Sequence, residues 1–159
     1  MIDYQRQRVY NAEKAFVKWR GGVMAQRIEE VADIQKWVDQ LMERPEFRRR
    51  WALRKIVVRD GRRRRRAGGW YGNITIPKWC RNVQHFLHEI AHALRMGDKG
   101  YAHDHYFCRD YIQLVQIATS RHEAMLFAGY LRGHDCDCEP ENRGTRLVIK
   151  HEDKVLAII

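Results

Sequence analysis

No apolar run in these 159 residues approaches the roughly 18 needed to cross a membrane. No basic start followed by an apolar stretch marks a secretory leader either, so a cytoplasmic protein with no membrane contact is expected. Cysteine is scarce. Four residues, Cys80, Cys108, Cys136 and Cys138, do not make a disulfide framework in a leaderless chain of this length, and reduced thiols are the expectation. Cys136 and Cys138 are one residue apart, too close for a zinc-finger pair, and no matching pair stands elsewhere. Acid is nearly missing from one segment. Residues 48–66 hold eleven Arg or Lys against Asp60 alone, while the remainder of the chain carries nineteen charges of each sign. The whole formal charge of +10 therefore lies in that segment, as either a phosphate-binding surface or a solvated loop.

What is present suffices for one domain over residues 1–159, since 45% of the residues are hydrophobic. Val9, Ala12, Phe16 and Trp19 fall at helical spacing, which predicts a helix from Asp3 to Arg20 stopped by Gly21-Gly22. A second helix is expected from about Met24 to Arg44, with Ile28, Val31, Ile34, Val38, Leu41 and Met42 on its apolar stripe and Pro45 just past its end. Residues 51–59 then read as a strand ending at the Asp60-Gly61 turn, with Arg62 to Arg66 at a loop tip or on the arm of a basic hairpin spanning 48–66. Gly68-Gly69 breaks the segment. Trp70 to Pro77 reads as one further strand, in which Trp70 and Tyr71 are expected as core or rim packing. If that strand is an exposed edge, it can pair with an extended peptide.

Residues 83–95 contain His88-Glu89-Ile90-Ala91-His92 with no Pro or Gly to interrupt a helix. Two histidines one turn apart project from the same face and can reach one tetrahedral zinc. Glu89 beside them can act as a general base toward a water polarised by the metal, without ligating it. Val83, Leu87, Ile90 and Leu94 repeat at the spacing of a core-packed face. The same pattern also fits an amphipathic helix whose histidines are merely solvated.

A catalytic zinc takes three protein ligands, and three residues compete for the third place. His103 follows His92 after enough chain for the helix to end and Gly97-Asp98-Lys99-Gly100 to turn; His105 and Glu123 are the alternatives. The metzincin pattern is excluded, because its glycine position falls on Arg95 and its third histidine on Asp98. Downstream, Asp104 can cap a helix with Phe107, Tyr111, Leu114 and Ala118 on its buried stripe. Another helix is expected over about Ser120 to Arg132, ended by Gly133. A C-terminal extension from about residue 133 carries an acidic loop and then two strands, 146–150 and 155–159.

The pairing of His88-Glu89-Ile90-Ala91-His92-Ala93-Leu94 with His103-Asp104-His105-Tyr106-Phe107 resembles the SprT-like zincins. In that likeness His103 is the third ligand and Phe107 a packing aromatic; Asp104 departs from the glycine usual there. The opening Tyr4-Gln5-Arg6-Gln7-Arg8-Val9-Tyr10-Asn11-Ala12-Glu13 and the passage from Ile74-Thr75-Ile76-Pro77 to His88 resemble small zinc metallohydrolases of actinobacteria and their phages. The resemblance implies an α+β, minimal zincin-like fold, with N-terminal helices and a small sheet packed on the metal helix and a ligand-bearing helix after it. For a phage-encoded protein the compartment would be the host cytoplasm.

The expected function is zinc-dependent hydrolysis of a peptide or protein substrate. One zinc per chain is held by His88, His92 and His103, Glu89 moves the proton, and Tyr106 is favoured over Tyr101, His105 and Arg109 as oxyanion donor. Asp110 and His85 are candidates for orienting a ligand imidazole. The alternative is a nucleic-acid-binding protein with a structural zinc, working through Arg62, Arg63, Arg64, Arg65 and Arg66, or a protease acting on DNA-associated proteins.

Overall fold

The local sequence rules resolve into a mixed α+β structure. A computed structural model of the chain describes residues 2–95, 102–138, 148–151 and 154–158, the last two stretches as backbone. The backbone divides into two units, Gly22–Gly97 on one hand and Met1–Gly21 with Asp98–Ile159 on the other.

In the unit Gly22–Gly97, a single 3-10 turn (Gly22–Ala25) precedes α2 (Val31–Glu43), whose stripe of Ile34, Val38, Leu41 and Met42 is buried. The helix expected from Met24 begins seven residues later. The reason is tertiary: the Val83 N–H donates to the Gln26 carbonyl at 2.9 Å and the Ile28 N–H to the Arg81 carbonyl at 3.0 Å, so Arg27 and Asn82 form an isolated antiparallel bridge just ahead of the helix over 83–93. Those backbone groups are no longer available for helical bonds. Pro45 does more than follow α2. It opens a short α3 (Pro45–Arg50), taking the first helical position where its missing N–H costs nothing.

Three strands follow, β1 (Val57–Asp60), β2 (Gly68–Trp70) and β3 (Asn73–Ile76). The strand expected over Trp70 to Pro77 is broken into two, because Tyr71-Gly72 makes a tight hairpin turn in which Gly72 takes a φ of 75°. The sheet order is β1-β3-β2, with β1 parallel and β2 antiparallel to β3. Most of the expected edge strand is therefore central, and the edge beside it is Gly68–Trp70. Residues 48–66 do not form a hairpin, since β1 and β2 lie on opposite sides of β3. Ile74 and Ile76 are fully buried while Asn73 and Thr75 are half-buried, the alternation of a strand with one face on a core. Against that sheet packs α4 (Val83–Ala93), in contact with β2 and β3.

In the other unit, α1 (Arg6–Arg20) ends at Gly21, whose φ of 57° suits glycine. The expected cap at Asp104 holds, its carboxylate accepting from the Phe107 N–H at 2.9 Å, and the Ser120 hydroxyl likewise accepts from the Glu123 N–H at 3.1 Å. They start α5 (His105–Ala118) and α6 (Arg121–Gly133). Phe16 stands edge-on to Phe127 and Tyr130 with centroids 5.3 and 5.2 Å apart, and Tyr111 is 4.7 Å from Phe127. Burying each such ring stabilises the unit by about 1.5–3 kcal/mol. The expected pair of C-terminal strands is β4 (Val148–His151) antiparallel to β5 (Lys154–Ile158), and β5 lies along α6. Among the described residues no helix is long and apolar enough to cross a membrane.

Candidate metal centre

The helix α4 is built for placing side chains accurately. Asn82 caps it, its Oδ1 accepting from the His85 N–H at 3.0 Å, and Val83, Phe86, Leu87, Ile90, Ala91 and Ala93 are buried. Packing on nearly every side leaves the helix little room to rotate. His88 and His92 then fall on one face as the spacing predicts, with Nε2 atoms 3.2 Å apart and ring centroids 5.0 Å apart. At that separation one ring donates to the other, or both lone pairs face a common cation. His88 is buried, and so is Glu89, about 100° further round the helix.

His103 lies two residues ahead of α5, where its side chain is 5% exposed. Its Nδ1 is 2.6 Å from Asp3 Oδ2. Its carbonyl accepts from Gln5 Nε2 at 2.8 Å, and the edges of Tyr10 and Phe107 close on the ring at centroid distances of 5.6 and 4.8 Å. His88, His92 and His103 form a group whose ligand nitrogens all lie within 4.8 Å of one another, and this group could hold a metal ion. The donor chemistry fits: three imidazoles, one of them hydrogen-bonded through its other nitrogen to a carboxylate, are a set that suits zinc.

The other candidates are engaged elsewhere. Glu123 pairs with Arg20 at 3.2 Å on an exposed face, and the His105 ring leans on Tyr106 at 4.0 Å. Tyr106 is 47% exposed at the start of α5, with the Arg109 guanidinium 5.2 Å from its ring centre. Tyr101 lies outside the described residues. His85 Nδ1 bonds Asn82 Oδ1 at 2.7 Å, which makes it part of the cap of α4, and Asp110 is 3.9 Å from Arg109 Nε. The sequence reading made no link between Asp3 and His103. No spacing rule links positions a hundred residues apart, and an acid near the start of a helix reads as a cap.

The four thiols are free and buried. Burial first, and the Glu89 carboxylate second, push the Cys80 thiol up to about 11, and it donates to the Pro77 carbonyl at 3.3 Å. Hydrogen bonding to Cys136 and Cys138 and then burial push Cys108 far higher. Arg62 to Arg66 are all exposed, and Trp70, expected as packing, is 74% exposed. No family model, no curated protein and no solved structure matches the chain.

Proposed function

We propose that the chain is a zinc-dependent hydrolase of peptide bonds, a small zincin-like metallopeptidase. The observation that carries this reading is the three-histidine group with Glu89 next to His88 on a rigid, buried helix. A zinc ion held there supplies Lewis-acid polarisation of a carbonyl and of a water molecule. Glu89 would hold a water molecule through a carboxylate oxygen, take its proton and deliver it to the leaving amine nitrogen, one water being consumed per bond cut. Its neighbour on the helix keeps it close without making it a ligand. Tyr106, exposed and three residues beyond His103, is the donor assigned to the developing oxyanion.

The substrate path also has support. Among the described residues the strand Gly68–Trp70 is at an edge of its sheet and lies against α4, and such an edge offers main-chain donors and acceptors to an extended peptide. The exposed Trp70 at the end of that strand gives such a peptide an aromatic surface.

A second reading is favoured by the run of exposed arginines from Arg62 to Arg66, in which the chain binds nucleic acid and a metal only braces the fold. The two readings part at Glu89. Metal content by mass spectrometry on protein purified without a histidine tag is expected to give about one zinc per chain, lost in His88→Ala and in His103→Ala. Glu89→Gln is expected to keep the metal and to lower peptide cleavage by about 10²- to 10⁴-fold. Cleavage unchanged in Glu89→Gln rejects the hydrolase, and a parent that takes up no zinc rejects the metal centre.

A further inference from the structure

Asp3 uses its two oxygens for two different jobs. Oδ1 accepts from the Arg6 backbone N–H at 3.1 Å, tying the carboxylate to the first turn of α1, and Oδ2 meets His103 Nδ1 at 2.6 Å. The carboxylate is 18% exposed and the imidazole 5%. A carboxylate only accepts, so the hydrogen between Oδ2 and Nδ1 belongs to the ring, and the lone pair is left on Nε2. Gln5, two residues along, fixes the backbone of the same loop. Its Nε2 donates to the His103 carbonyl at 2.8 Å, while its Oε1 accepts from the Asp137 N–H. Tyr10 on α1 and Phe107 on α5 hold the ring edge-on from two further directions.

We propose that Asp3 is a positioning residue for the metal centre: it fixes His103 as the Nδ1–H tautomer and turns Nε2 outward as the ligand atom. The inference rests on the three-histidine reading above and adds to it a residue from the opposite end of the unit's sequence. A carboxylate on the far nitrogen also raises the basicity of the ligating one, and removing such a partner typically lowers metal affinity by about 10- to 100-fold.

Asp3→Asn is the discriminating variant. The amide keeps an oxygen for the Arg6 N–H, which preserves the start of α1, but then presents an N–H₂ donor to Nδ1 and favours the opposite tautomer. The first readout needs no metal. Long-range ¹H–¹⁵N correlation on the full chain, stripped with a chelator and with His103 assigned from the His103→Ala spectrum, is expected to show hydrogen on Nδ1 in the parent and on Nε2 in Asp3→Asn. Hydrogen on Nε2 in the parent, or no change in the variant, overturns the proposal.

The second readout is zinc affinity by chelator competition. A loss of about 10- to 100-fold is expected in Asp3→Asn, against parent affinity in Asp33→Asn, whose exposed carboxylate pairs with Lys36. Equal affinity in Asp3→Asn and parent overturns the positioning role. A parent that binds no zinc while its tautomer still switches with Asp3 overturns the metal centre and upholds the grip of Asp3 on the ring.

Discussion

Gly69 and Glu89 are in backbone contact: a Cβ on Gly69 would sit 2.2 Å from the Glu89 carbonyl oxygen and 3.1 Å from His92 Cβ. The edge strand is thus laid directly on the helix that carries the metal motif. The glycine pair read from the sequence as a break is instead a strand without side chains, because any side chain at position 69 would push that helix away.

Gly69→Ala is therefore expected to destabilise the fold by about 1–3 kcal/mol, the range for overpacking a filled site. Gly68→Ala meets nothing within 4 Å and is expected to shift stability by less than about 0.5 kcal/mol. Urea midpoints of the two variants measure the difference. Equal midpoints would mean that β2 can lift off α4 without loss.

In the other unit, Phe127 is fully buried and touches Phe16 and Tyr111 edge-on. Phe127→Ala removes the shared ring of that cluster, and a loss of about 3–5 kcal/mol is expected in chemical denaturation. A loss below 1 kcal/mol would place the core of this unit elsewhere.

Alkaline pH should weaken the fold through Cys80. Its thiol pKa rises from 9.0 to about 11 on folding, because burial and the Glu89 charge disfavour the thiolate. The native state therefore holds the proton more tightly than the unfolded chain. Its contribution is complete below pH 9, falls as the unfolded thiol ionises, and is lost as pH passes 11. Cys80→Ser, which keeps a donor for the Pro77 carbonyl, is expected to show a shallower decline of the denaturation midpoint between pH 9 and 11. Parallel curves for parent and variant would contradict this.

Replacing Arg62 to Arg66 with serine should leave folding intact. All five are exposed, and the ion pair from Arg62 to Asp60, at 3.4 Å, joins an arginine that is 84% exposed. Surface pairs of that kind contribute about 0–1 kcal/mol. If the loop binds nucleic acid, the variant loses affinity and the slope of log affinity against log salt becomes shallower. Equal binding by parent and variant, measured by fluorescence anisotropy with a labelled oligonucleotide, removes the loop from the second reading.

Much of this was legible in the residues themselves. The two faces of α4, the pairing of His88 with His92, and the cap at Asp104 all depend on neighbours within one or two turns, and helical periodicity and capping are local properties. So does the charge block, whose excess is visible by counting and whose exposure follows from the cost of burying it. Elsewhere the local reading misled. Ile28 continues the apolar stripe of α2, yet its N–H goes to Arg81. Trp70 to Pro77 has the composition of one strand, yet Gly72 folds it into a hairpin and moves β3 to the centre of the sheet.

By itself, then, the sequence determined which helix carries the imidazoles and which face they share, because 3.6 residues per turn fixes that without reference to the rest of the chain. The tertiary structure decided which strand is the edge, why position 69 has no side chain, and that Asp3 holds His103. Each of these depends on chain segments brought together by packing, and the pattern of residues along one segment carries no record of what another segment, tens of residues away, will place against it.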